Sequence, residues 1–88
     1  MYIIGIYDVN KKRVGKIKKL FDRYMFWTQN SVFEGKLTKV QLRELRNKLD
    51  GIIDPEEDQV IFYQLGNQKW LNKTILGKQV DDDPPNFI

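Results

Sequence analysis

The sequence predicts an α/β fold of the α+β kind, an antiparallel sheet with two helices packed on one face. Three observations lead there. Residues 2–8 and 59–65 are apolar at successive rather than alternate positions, the pattern of central strands covered on both faces. Two other segments carry apolar residues at helical spacing behind good N-caps, and strand-forming residues lie between them. The length of 88 residues holds these elements to one domain, which buries only about 60–65% of the surface its unfolded chain exposes.

The first strand sets Tyr2, Ile4 and Ile6 on one face and Ile3 and Tyr7, with Gly5, on the other, and ends at Asp8. Asn10 is an N-cap, after which Val14, Ile17, Leu20, Phe21 and Tyr24 form the buried stripe of a helix of about four turns. Residues 26–37 have strand character centred on Val32 and Phe33, as one kinked strand or two short ones, with Gly35 at a bulge or an end. Thr38 and Gln41 have the spacing of a capping box. Leu42, Leu45, Leu49 and Ile52 or Ile53 then give a second helix its stripe, which stops near Asp50 and Gly51.

Residues 54–58 read as a polar turn, and the strand that follows sets Val60 and Phe62 against Ile61, Tyr63 and Leu65. A weaker strand is expected at residues 74–76, beyond Trp70. Residues 1–79 make the domain and residues 80–88 an extended arm, acidic and Pro-rich, whose apolar end at Phe87 and Ile88 suits docking. Strand, helix, strand material, helix, strand is the order of a ferredoxin-like sandwich. Two helices cover one sheet face only. A second copy of the chain is the economical cover for the other, so a homodimer through that face is expected.

The chain has no His and no Cys, which excludes imidazole bases, thiolate nucleophiles and the usual zinc sites. No apolar run approaches the roughly 18–20 residues of a membrane span, and the first apolar stretch, broken by Gly5 and Asp8, is too short for a secretory signal. A cytoplasmic protein with no membrane partner is expected. The net charge of +3 conceals an asymmetry: residues 1–48 hold twelve Lys and Arg against four acids, residues 49–88 three against eight, so the parts carry +8 and −5. The basic part can meet a polyanion.

Within it, Lys12, Lys16, Lys19 and Arg23 follow one another at steps of four, three and four along the first helix, a continuous ridge. Lys39, Arg43 and Arg46 share a face of the second. Lys11, Lys12 and Arg13 open the first helix, where backbone donors and the macrodipole already favour a phosphate. No set of base-reading side chains accompanies them, so contact with the backbone of a nucleic acid is expected. Asp8 has two readings from the residues alone: a carboxylate capping the next helix, or one holding a hard cation against a phosphate. Phe26, Trp27 and Trp70 are placed to pack or to stack on bases, and Ser31 has no base beside it in sequence.

Tyr7 and Asp8 closing the first strand, Arg13 and Val14 in the helix, Gln29, Asn30, Ser31, Val32, Phe33, Glu34 and Gly35 after it, and residues 58–65 resemble the motifs of CRISPR-associated protein 2. That family is the small subunit of the spacer-acquisition machinery, often labelled an endoribonuclease. The resemblance implies a ferredoxin-like homodimer in which a C-terminal strand packs on the partner and Asp8 approaches its twofold mate. It also implies a magnesium ion shared by the two protomers at Asp8, cleavage of single-stranded RNA or duplex DNA, and a scaffolding role between dimers of the integrase, CRISPR-associated protein 1. The chain departs from the family pattern at Met25, where a glycine is common, and at Phe26, Trp27 and Thr28, where some members carry a basic residue. Two rivals share the fold: a toxin-like ribonuclease, and a non-catalytic RNA-binding module. The latter would expose aromatics on its central strands, where this chain has aliphatic residues and tyrosines.

Overall fold

A computed structural model describes residues 1–67, 69 and 71–77. Its elements are β1 (Tyr2–Asp8), α1 (Lys11–Asp22), β2 (Phe26–Gln29), β3 (Val32–Lys36), α2 (Lys39–Asp50) and β4 (Gln59–Leu65). The strands form one sheet in the order β2-β3-β1-β4 with every neighbouring pair antiparallel. That is the ferredoxin-like arrangement.

Register sorts the side chains. Gly5 of β1 stands opposite Phe33 on one side and Phe62 on the other, so Ile3, Gly5, Tyr7, Phe33 and Phe62 share the face that the helices cover. Ile17, Leu20 and Phe21 of α1 and Leu42, Leu45 and Leu49 of α2 close the core over it. Phe21 stacks on Phe33 with ring centroids 5.1 Å apart and on Phe62 at 5.9 Å, directly above Gly5. The opposite face carries Phe26, Glu34, Ile4 and Tyr63 in one row across the four strands, then Val32, Ile6 and Ile61 in the next. Phe26 is 47% exposed and Tyr63 54% exposed there. Among the described residues this face has no helix over it, and the segment carrying Lys73 reaches across part of it.

Local chemistry sets the boundaries. The Asn10 side chain accepts from the Lys12 N–H at 3.1 Å and starts α1. The α1 stripe holds except at its end: Tyr24 lies in the turn past the last helical residue and half-buries there, because Arg23 already caps the helix. The capping box is complete, with Gln41 N–H donating to Thr38 Oγ1 at 3.1 Å and Thr38 N–H to Gln41 Oε1 at 2.9 Å. Residues 26–37 resolve into two strands joined by Asn30 and Ser31, with Asn30 in the left-handed region at φ 44°, which a short polar side chain tolerates.

Two expectations need revision. The irregularity in this hairpin falls between Trp27 and Gln29, and Gly35 sits in regular register opposite Ile3. Glycine is used at Gly35 for close approach, since a Cβ there would come within 3.3 Å of Met25 Cα. Met25, where the resemblance leads one to expect glycine, is buried in the core. Residues 74–76 do not form a strand in the single chain: Lys73 pairs with Glu34 of β3, two strands in from the β4 edge, so the segment crosses the open face and does not line its edge. Trp70 and the arm 80–88 lie outside the described residues.

Candidate functional site

Asp8 is the last residue of β1, where the strand still pairs: its Cα partner is Gln59, the first residue of β4. It shares parity with Tyr2, Ile4 and Ile6, which aims it to the open face, and it is exposed. The capping reading of Asp8 falls, because Asn10 holds that position. Tyr7, by alternation, points the other way into the core against Phe21 and Phe33, and burial together with the negative charge of Asp22 pushes its phenol above the ordinary value. Tyr7 therefore packs beneath the site. Ser31 is structural as expected, its carbonyl accepting from the Tyr7 N–H at 3.1 Å.

The turn after Asp8 is held by a carboxylate from the far end of the chain. Asp58 Oδ1 accepts from the Asn10 N–H at 2.8 Å and from Arg13 Nη2 at 3.1 Å. Its Oδ2 accepts from the Asp54 N–H at 2.8 Å and from Arg13 Nε. Arg13 also donates to Glu57. The Asp58 side chain is 0% exposed and that of Arg13 only 15%. The fork of Arg13, then the backbone donors of Asp54 and Asn10, hold the Asp58 carboxyl well below the usual aspartate range, and the two acids raise the Arg13 guanidinium above its ordinary value.

The predicted phosphate contacts divide accordingly. Lys11, Lys12, Lys16, Lys19 and Arg23 on α1 and Lys39 and Arg43 on α2 are all exposed, with Arg46 beside them. They project from the helical layer, on the side of the sheet away from Asp8. Arg13 is occupied differently from the expectation: its Nε and Nη2 donors go to Asp58 and Glu57. Sequence reasoning took residues 54–58 for a plain turn and so missed this cluster. A signal existed, since Arg13 lies four residues before Ile17, on the flank of the buried stripe where a cation needs a partner.

Among the aromatics, Trp27 packs against the core, its ring under Lys18 Nζ at 5.6 Å and its Nε1–H donating to the Asn30 carbonyl at 2.9 Å. Phe26 is exposed on the open face, as is Tyr63. For a metal ion, Asp8 offers the hard carboxylate oxygen that magnesium prefers. Among the described residues no three His, Cys, Asp or Glu side chains gather as a ligand set. An ion at Asp8 fits only with ligands from water, a phosphate or a second protomer.

Comparison with known proteins accords with this architecture. The family described as CRISPR associated protein Cas2 matches residues 1–73. A CRISPR-associated endoribonuclease Cas2 of Thermotoga maritima is 43% identical over 83 residues, which is 94% of this chain and 95% of that protein. A crystal structure of a Cas2 protein superposes with TM-score 0.83 at 41% identity, over 100% of this chain and 97% of the other. The Streptococcus pyogenes Cas2 crystal structure gives TM-score 0.74 at 34% identity, covering 85% and 99%.

Proposed function

The chain belongs to the CRISPR-associated Cas2 family, whose curated relatives are named endoribonucleases, and from that premise we propose that it is a nuclease whose reacting carboxylate is Asp8. The observation that carries this reading is the placement of Asp8: exposed, at the end of a central strand, on the sheet face that no helix covers. A second copy seated on that face by a twofold axis near the end of β1 would bring two Asp8 carboxylates together. Two such charges repel unless a cation or a proton lies between them.

The cation in this reading is magnesium, shared by the protomers, and when bound it supplies charge neutralisation for the phosphate and a more acidic water. Asp8 of each protomer holds it. Tyr7 and the core beneath keep the strand end rigid. RNA is the substrate class the relatives' name supports; the form proposed here is single-stranded, with duplex DNA as a second candidate.

A second role, a scaffold for the integrase, CRISPR-associated protein 1, is favoured by one further observation. The ridge of Lys12, Lys16, Lys19 and Arg23 and the basic face of α2 lie on the helical layer, away from Asp8. A duplex gripped there is held without being presented to Asp8, as a support for integration requires. Among the described residues no helix is long and apolar enough to cross a membrane, and the expected compartment is the cytoplasm, where a CRISPR array lies.

One set of preparations tests both roles. Asp8→Asn should lose magnesium-dependent cleavage of single-stranded RNA while sedimenting as a dimer and supporting spacer integration with the partner integrase. Tyr63→Glu puts a charge on the open face at a site that is already 54% exposed in the single chain, so it should give a folded monomer. Cleavage by Asp8→Asn at the parent rate refutes the nuclease assignment, and a Tyr63→Glu dimer refutes the open face as the contact.

A further inference from the structure

We infer that Asp58 is a positioning residue for the nuclease site, fixing the Asp8 carboxylate by clamping the chain on both sides of it; this rests on the reading of Asp8 given above. Asp8 sits on the last rung of the β1–β4 ladder, where strand ends fray. Beyond it the chain leaves the sheet through Val9 and turns into α1. The Asp58 carboxylate sits at this junction. It takes the N–H of Asn10, two residues past Asp8, while its own backbone leads directly into Gln59, the residue that faces Asp8 across the ladder.

The anchor is itself fixed from three directions. A carboxylate offers about four acceptor positions, and all four are met: Asn10 N–H and Arg13 Nη2 on Oδ1, Asp54 N–H and Arg13 Nε on Oδ2. These donors come from the β1–α1 turn, from the first turn of α1 and from the loop after α2. The Asp58 backbone N–H also closes its own turn onto the Asp54 carbonyl at 2.8 Å. The side chain has no exposed surface with which to drift. A ladder end that would open is thus closed by a side chain bonded on all its lone pairs. Asp8 is the functional group this arrangement holds still.

The consequence is a loss of turnover when the clamp is loosened, without a loss of RNA binding, since no clamp residue belongs to the exposed ridge. Two substitutions test it in the full-length dimer. Asp58→Asn keeps the shape but presents an NH2 group to donors, and should lower kcat on single-stranded RNA roughly ten- to a hundredfold with KM unchanged within about twofold. Amide exchange at Asn10 should accelerate in the same protein. The second test does not disturb the buried ion pair. Asn10 has φ −59°, which proline accepts, so Asn10→Pro deletes the donor to Asp58 together with the cap and the side-chain bond to Glu57, while Asn10→Ala deletes the cap and the Glu57 bond and keeps the donor to Asp58.

A positioning role requires Asn10→Pro to turn over more slowly than Asn10→Ala by a factor of several. A purely structural role moves thermal stability and leaves the two turnover rates equal. Equal rates in that pair, or a folded Asp58→Asn with kcat within twofold of the parent, overturn the inference. Asp8→Asn runs in the same assay: cleavage surviving there overturns the reading of Asp8 itself, and the inference with it.

Discussion

Gly5 is where the packing can be probed most sharply. A Cβ built on it falls 2.6 Å from Phe21 Cε1, 3.3 Å from Phe21 Cζ and 3.3 Å from Phe62 Cε1. The first distance is well inside carbon contact, so Gly5→Ala must move the Phe21 ring. That ring has little room: it is fully buried, stacked on Phe33 at 5.1 Å and on Phe62 at 5.9 Å, with Tyr7 at 5.6 Å. Overpacking of this kind costs about 1–3 kcal/mol, and the gain from removing a strand glycine returns about 0.5–1 kcal/mol. With the ring packed on three sides and a contact of 2.6 Å to relieve, the overpacking cost falls in the upper half of its range, about 2–3 kcal/mol, and the balance is a destabilisation of about 1–2.5 kcal/mol. For a domain this size each kcal/mol lowers Tm by roughly 4–8 °C. Chemical denaturation at fixed protein concentration measures it, and the double variant Gly5→Ala with Phe21→Leu should lose less than the two single changes added together. A Gly5→Ala protein as stable as the parent, or strictly additive changes, would refute a ring seated on the glycine.

Thr38→Ala removes the side-chain acceptor of the capping box, leaving the bond from the residue-38 backbone N–H to Gln41 in place, and should cost about 1 kcal/mol in the same denaturation assay. Replacing Lys12, Lys16 and Lys19 by Ala should reduce the slope of log affinity for duplex DNA against log salt by about 0.9 for each phosphate that is no longer neutralised, read by titration at several salt concentrations. Arg13→Ala should leave that slope unchanged and lower stability, since it leaves the buried Asp58 carboxylate without its fork. The acid limb follows from Asp58: its folded carboxyl titrates below the ordinary 3.8, so its contribution is complete above that pH and is lost as the pH falls through the depressed folded value. Asp58→Asn should flatten the stability curve of the parent below about pH 4.

The elements were legible because each carries its own local signal. Alternation places Ile3, Gly5 and Tyr7 together, and the structure puts them under one helical layer. Asn10 and the Thr38–Gln41 pair mark the helix starts at their observed positions. What misled were signals with more than one physical use. Gly35 reads as a break because glycine frees the backbone, yet here its use is the missing side chain beside Met25. The strand expected at residues 74–76 has the right composition, but a strand exists only where an edge accepts it, and composition says nothing of edges.

The site divides the same way. Asp8 could be singled out because its strand is continuous and its position terminal. The role of Arg13 could not be read from charge alone, because a cation at a helix start suits a phosphate and a carboxylate equally, and Asp58 is 45 residues away in sequence. Only the fold says which anion is at hand. The asymmetry of +8 against −5 is therefore not two independent surfaces: Glu57 and Asp58 of the acidic part consume one cation of the basic part.

The open face obeys a similar constraint. Its row Phe26, Glu34, Ile4, Tyr63 is apolar but for Glu34, which is buried and paired with Lys73. A second copy covering this row removes the remaining water from that pair. A carboxylate in such a place must keep a cation as the face closes, because breaking a buried pair costs more than the pair returns. A contact between copies on this face would accordingly be specified by charge as well as by apolar area. Any dimer built on this face has to seat Glu34 against Lys73, from its own chain or from its partner.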